Sequence, residues 1–117
     1  MILVDTSVWI DHFRSGSARL AALLTEGEVL THPFVIGELA CGNLRRRREV
    51  VAALGSLPAS PVAAHREVLR LLEEKKLTGR GVGWIDVHLV ASALLAGCAL
   101  WTLDGPLAVV AEELGAG

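Results

Sequence analysis

Short apolar runs alternate along this chain with segments of helical periodicity. The first run, ILV, ends at Asp5, and a later run, ALWTL, ends at Asp104. Between them, residues 68–72 (VLRLL) carry apolar side chains at the three- and four-residue spacing of one helix face. Breaks at Gly, Pro and Ser separate the segments. The pattern predicts strands at residues 2–5, 28–31 and 99–103 and helices at residues 6–13, 17–27, 33–42, 45–54, 65–77, 84–95 and 106–114.

The order of these elements predicts an α/β fold. Parallel strands need crossover connections, which are usually helices, and strands without polar alternation are typical of a sheet that is buried on both faces. A length of 117 residues suits one domain, spanning residues 1–117, and leaves no room for two. We therefore expect a single domain built on a parallel sheet with helices on both sides.

The amino-acid composition excludes several classes of protein. A hydrophobic content of 52% excludes a disordered tail, and a net charge of −2 gives no overall reason to expect a nucleic-acid partner. The N-terminus has no basic region of the signal-peptide kind. Residues 87–103 contain no Asp, Glu, Lys or Arg, which raises the question of a membrane span. Because His88 and Gly97 interrupt this stretch, we expect a buried helix, a turn and a strand instead. Cys41 and Cys98 are expected to be reduced, packed thiols, which favours a cytoplasmic protein.

Four acidic residues occupy unusual positions. Asp5 and Asp104 each follow a predicted strand, and ligands of open parallel sheets bind at the carboxyl ends of the strands. Glu38 and Asp86 are each the only charge in a long apolar segment, where a carboxylate is costly unless it is paired, hydrogen-bonded or bound to a metal. A divalent cation such as Mg²⁺ or Mn²⁺ would offset the repulsion among converging acids and could activate water for phosphodiester hydrolysis.

Structural roles are also open for these residues. Asp5 and Asp104 could be helix N-caps, and Asp86 could be a first-turn acid stabilised by the helix dipole. Thr6 and Ser7 could cap the first helix. Glu38 is the hardest of the four acids to explain by structure alone.

The ordered motifs resemble a PIN domain, and more narrowly the VapC-type toxins of bacterial and archaeal toxin–antitoxin pairs. They are DTS after the first strand, an isolated Glu in GELACG, Asp86 in WIDVHLVASALLAG, and TLD after a late strand. The resemblance extends over residues 2–114. One departure is that Gly-Pro-Leu follows Asp104, where many relatives have an aromatic residue a few positions on.

This resemblance implies a three-layer α/β/α sandwich with a parallel sheet and an endoribonuclease that depends on Mg²⁺ or Mn²⁺. It also implies a cognate antitoxin, whose C-terminal part covers the site, and a homodimer. The implied site consists of the catalytic acids Asp5, Glu38, Asp86 and Asp104, of which Asp5, Asp86 and Asp104 are the metal ligands, and the supporting hydroxyls Thr6, Ser7 and Thr102.

Basic residues offer two further candidates. Arg80, in the glycine-rich loop before the Asp86 helix, is a candidate RNA contact, whereas Arg45 to Arg48 could contact RNA, contact the antitoxin or only be solvated. The alternative function is a PIN-like or receiver-like binding module without nuclease activity. A receiver is disfavoured because the first strand ends in a single acid and no Lys follows Lys76.

Overall fold

Every predicted element is present, although the strands are shorter than predicted. The structure is a computed structural model that describes residues 1–117. The predicted strands at residues 2–5, 28–31 and 99–103 begin or end one or two residues inside those limits. In chain order the elements are β1 (Ile2–Val4), α1 (Thr6–Ser15), α2 (Ala18–Thr25), β2 (Val29–Leu30), α3 (Pro33–Cys41), α4 (Arg47–Gly55), α5 (His65–Glu74), α6 (Trp84–Ala96), β3 (Ala99–Trp101) and α7 (Gly105–Glu113).

The three strands form one parallel sheet in the order β2-β1-β3. Ile2 pairs with Val29 on one side and with Ala99 on the other, so β1 is the central strand. The chain crosses the sheet in one direction from β1 to β2 and in the opposite direction from β2 to β3. Because such crossovers are almost always right-handed, the two sets of connecting helices fall on opposite faces, which gives the expected α/β/α order.

The topology brings two acids to neighbouring strand ends. Val4 pairs with Trp101, so Asp5 and the segment leading to Asp104 leave the sheet side by side. The backbone N–H of Asp5 donates a hydrogen bond to Trp101 O at 2.9 Å, which fixes this junction. Since β1 and β3 are neighbours, the two acids leave the sheet at the same edge.

Helix α6 runs through the centre of the molecule. Its residues 87–93 are all buried, because the helix is apolar on nearly every side. It ends at Gly97, which has a positive φ of 65° and turns the chain directly into β3. The uncharged stretch at residues 87–103 is thus a helix, a turn and a strand, as predicted, and no helix of the molecule has the length and apolar character needed to cross a membrane.

Side chains cap several of these helices. Ser17 Oγ accepts a hydrogen bond from Leu20 N–H at 3.1 Å, and His32 Nδ1 accepts one from Phe34 N–H at 3.0 Å. Both cysteines are free, but Cys41 is exposed, so the prediction that both thiols are packed is wrong for this residue. It lies in the last turn of α3.

Candidate active site

Asp5 is buried and held by two hydroxyl groups. It stands between β1 and α1 with only 6% of its surface exposed. Its Oδ2 atom accepts hydrogen bonds from Ser7 Oγ and Thr102 Oγ1, each at 2.7 Å. Asp5 occupies the N-cap position of α1, but its side chain makes no capping hydrogen bond. The simple cap interpretation therefore does not account for this carboxylate.

The same hydroxyls are fixed in turn by the backbone that follows β3. Ser7 Oγ accepts a hydrogen bond from Leu103 N–H at 3.0 Å, and Thr102 Oγ1 accepts one from Asp104 N–H at 3.0 Å. Each hydroxyl thus accepts a hydrogen bond from a backbone N–H group and donates a hydrogen bond to Asp5. This network orients the side chain of Asp5 and connects it to the segment that carries Asp104.

Asp104 serves as a helix cap and still has a free oxygen. Its Oδ2 atom accepts a hydrogen bond from Leu107 N–H at 3.0 Å at the start of α7. The side chain is exposed, and its other oxygen has no partner within the protein. The structural interpretation is therefore right for one oxygen of this carboxylate, while the second remains available to a ligand.

Asp86 lies in the first turn of α6 and is half-buried. Its Oδ2 atom accepts a hydrogen bond from Gly83 N–H at 2.9 Å. Burial raises the pKa of Asp86 above its usual value; the Gly83 hydrogen bond opposes this shift, and the negative charges of Asp5 and Asp104 add to it. Three of the four predicted acids are therefore close enough to repel one another.

Glu38 joins this region through Thr6. The side chain projects from α3, is exposed, and its Oε1 atom accepts a hydrogen bond from Thr6 Oγ1 at 2.7 Å. Because Thr6 directly follows Asp5, this contact sets Glu38 beside the end of β1. Thr6 and Ser7 thus bind carboxylates with their side chains and do not cap α1.

No cationic side chain balances these acids. The molecule has three ion pairs, which join the N-terminus to Glu28, Arg46 to Glu49 and Arg80 to Glu113. None involves the four candidate acids. A buried, oriented carboxylate with two acidic neighbours and no cation is the environment that a divalent ion stabilises.

The acids do not form a closed cage. No group of three or more His, Cys, Asp or Glu side chains converges tightly enough to hold a metal ion by itself. Mg²⁺ usually keeps several waters and takes only one or two carboxylates directly. The donor set therefore fits an open, hydrated hard cation and does not fit a dehydrated structural metal.

Arg80 is engaged elsewhere. Its guanidinium forms two hydrogen bonds with the carboxylate of Glu113, at 2.7 and 2.9 Å. Contact between Arg80 and RNA stays a prediction, and it would require this pair to open. Arg46 lies near Glu49 at the exposed start of α4, and the roles of Arg45 to Arg48 also stay open.

A groove beside Glu38 was not predicted from the sequence. It has a volume of about 500 Å³, and its lining includes Ile10, Phe13, Arg14 and Arg45. Ile10 and Phe13 are each 40% exposed although both are large apolar residues. Their i, i+3 spacing on α1, next to the buried Val8 and Trp9, was the available signal, since it makes the helix apolar on more than one side.

Comparison with known proteins shows close relatives. The sequence model of the PIN-domain family matches residues 2–113. The chain is 48% identical over 116 residues to Ribonuclease VapC32 of Mycobacterium tuberculosis, in each of two strains. The matched region covers 98% of this chain and 94% of that protein.

Proposed function

The chain belongs to the PIN-domain family, and from this premise we propose that it is a Mg²⁺- or Mn²⁺-dependent endoribonuclease, the toxin of a VapBC-type toxin–antitoxin pair. The observation that carries the proposal is the environment of Asp5. This buried carboxylate is oriented by two hydroxyls, lies near Asp86 and Asp104, and has no cationic partner. Sequence similarity to a protein named as a VapC ribonuclease supports the same activity.

Asp5, Asp86 and Asp104 would hold the cation, directly or through its waters. The ion would supply Lewis-acid stabilisation of the charge that develops on the phosphate and would make a bound water more acidic. Ser7 and Thr102 fix the orientation of Asp5, since both donate hydrogen bonds to its Oδ2 atom. Asp104 can contribute the oxygen that does not cap α7.

Glu38 orients the attacking water. Its Oε1 atom is occupied by Thr6, which leaves the second oxygen to accept a hydrogen bond from that water. An exposed carboxylate at the edge of the site is suited to this part, because substrate and water reach it from solvent. The attack breaks the phosphorus–oxygen bond to the leaving ribose oxygen, which takes up a proton from solvent water, while the proton of the attacking water passes to the free oxygen of Glu38.

The groove next to Glu38 supports the proposed partners. Its lining combines apolar residues with Arg14 and Arg45, and would accept an apolar segment that carries acidic residues. An antitoxin segment seated there would lie against Glu38. We also propose a cytoplasmic homodimer, in line with the exposed apolar residues Leu95, Leu103 and Val109 on the surface.

Cleavage of total RNA with and without a chelator tests the proposal. The purified chain should cut RNA in Mg²⁺ or Mn²⁺, lose this activity in EDTA and regain it when the metal is restored. Mapping the new ends would identify the target. Undiminished cleavage in EDTA would contradict the metal-dependent mechanism.

The alternative function is a PIN-like binding module without nuclease activity. The observation in its favour is the open arrangement of the acids, which would hold a cation only weakly, and a chain that holds no cation would lack the proposed nuclease chemistry. A chain that neither cleaves RNA nor binds Mn²⁺ in a calorimetric titration would establish this alternative.

A further inference from the structure

The loop that precedes α6 is fastened to α7 at two points. This loop comprises residues 78–83, and its Arg80 forms the bidentate pair with Glu113 in the last turn of α7. Its Gly81 lies against Pro106 in the first turn of the same helix, where an added Cβ would come within 3.3 Å of the proline ring. Gly81 also has a φ of +81°, so both the backbone conformation and the close approach favour glycine there.

Both fastened elements carry acids of the candidate site. The loop ends at Gly83, whose N–H holds Asp86 Oδ2 at 2.9 Å. Helix α7 begins immediately after Asp104, which caps it. Asp86 and Asp104 repel each other, and this repulsion tends to move the loop and α7 apart. The contacts at Arg80 and Gly81 oppose that separation.

We propose that Arg80 and Glu113 form a brace that sets the spacing of the Asp86 and Asp104 carboxylates for a divalent cation. This inference rests on the proposed function. It makes Arg80 a positioning residue, which acts through the loop and α7 and has no contact with RNA.

The geometry of the pair favours a brace over an RNA contact. Both terminal nitrogens of the guanidinium are bound to Glu113, and the two parallel hydrogen bonds fix direction as well as distance. The pair is neutral overall, so it offers a phosphate little attraction. Single exposed ion pairs contribute little to folding stability, and we therefore expect the consequence in the site and not in the melting temperature.

A double-mutant cycle separates these roles. Arg80→Gln and Glu113→Gln should each weaken Mn²⁺ binding, measured by calorimetry without RNA, by about 3- to 10-fold, as expected for loss of an outer partner of a metal ligand. The double variant should be no worse than either single variant. The exchange Arg80→Glu with Glu113→Arg should recover most of the affinity.

Kinetics provide the second measurement. At limiting Mn²⁺ each single variant should have a lower kcat on RNA, while KM at saturating Mn²⁺ and the salt dependence of KM should match the parent. Two variants serve as matched controls, Glu112→Gln on α7 and Arg70→Gln on α5. Each removes an exposed charge whose side chain makes no ion pair or hydrogen bond. Thermal melting establishes that all variants are folded.

Three results would overturn the brace. Mn²⁺ affinities equal to the parent in both single variants would do so. So would a raised KM and a weaker salt dependence in Arg80→Gln alone, because a phosphate contact is lost with the arginine and not with Glu113. If the parent chain itself binds no Mn²⁺, the proposed function fails together with the brace, and this result is distinct from the other two.

Discussion

Helix α6 carries two groups of ionisable side chains that differ in how their burial is compensated. At its first turn Asp86 lies near Asp5 and Asp104, and no cationic side chain pairs with any of them. Farther along, His88 and Ser92 face His32 from α3. Both regions remove ionisable groups from water, but only His32, in the histidine region, completes its hydrogen bonding within the chain as an uncharged group.

His32 is satisfied as a neutral ring. Its Nδ1 accepts a hydrogen bond from Phe34 N–H, so the proton lies on Nε2, which donates to Ser92 Oγ at 3.0 Å. Burial lowers the pKa of His32 to about 4, and repulsion from His88 acts in the same direction. This histidine therefore stabilises the fold as an uncharged cap of α3.

His88 is also buried, and its environment likewise favours the uncharged ring. Burial lowers the pKa of His88, with a smaller contribution from His65. Its ring lies edge-on to Phe34 and Trp84, at centroid distances of 4.7 and 4.9 Å. Its Nδ1 atom is buried without a hydrogen-bond partner, which again favours the uncharged ring.

The carboxylate region differs because its acids have no cationic partner. Ser7 and Thr102 both donate hydrogen bonds to Asp5 Oδ2 and so fix the orientation of this carboxyl group. The neighbouring negative charges are left without compensation. His32 is buried as a neutral ring with all its hydrogen bonds made, and such a group stabilises the fold. Asp5 is buried and held in one orientation near other acids without a cationic partner, and such a group indicates a ligand site.

The largest expected effect comes from Asp5→Asn. We expect RNA cleavage to fall by at least about 10³-fold, more than the loss of an outer partner causes, because a proposed direct ligand of the metal is removed. Thermal stability should change little, since the asparagine oxygen can still accept both hydroxyl protons. Cleavage rates and melting curves, compared with the exposed-site control Asp11→Asn, check this. Parent-like cleavage by folded Asp5→Asn would break the comparison on the carboxylate side.

The histidine region predicts acid sensitivity of the fold. Between the ordinary pKa of 6.5 and the folded value of about 4, the unfolded chain binds a proton at His32 that the folded chain does not. Stability should therefore fall as pH decreases through this window, by up to about 3 kcal/mol from His32 alone. Urea unfolding at a series of pH values measures it.

A His32→Gln variant isolates this contribution. It should be less stable than the parent at pH 7, because the cap of α3 is disturbed, but its stability should fall less steeply between pH 6.5 and 4. Asp86 acts in the opposite sense, since its raised pKa favours the folded state as acid is added. Equal slopes in parent and variant would contradict the assignment of the acid response to His32.

A smaller effect than that of Asp5→Asn is expected for Thr102→Val, which tests the role of one hydroxyl within the carboxylate region. This change keeps the shape of the side chain and removes the donor to Asp5 and the acceptor for Asp104 N–H. We expect cleavage and Mn²⁺ affinity to fall by about 10-fold, the scale of an outer-partner loss. Thr25→Val, which removes an exposed hydroxyl bonded only to Ala21 O, is the matched control. Equal behaviour of the two variants would show that the hydroxyl does not orient Asp5.

The positions of the elements and of the acids were predictable from local patterns. Apolar runs that end on Asp5 and Asp104 marked the strand ends, and Ser17 and Pro33 marked helix starts that the structure contains. The isolated charges Glu38 and Asp86 stood out because the free energy of burying a carboxylate is high. Strand limits were less accurate, since hydrogen bonds to neighbouring strands decide where pairing stops.

The amino-acid sequence by itself determined the α/β class, the parallel sheet and the candidate acids, because periodicity, capping and the burial cost of charge act over a few residues. Only the tertiary structure decided which partners these side chains have. It joined Asp5 to Thr102, Glu38 to Thr6 and Arg80 to Glu113, pairs that are 97, 32 and 33 residues apart in the chain. Contacts at such separations depend on strand order and helix packing, which no local pattern encodes.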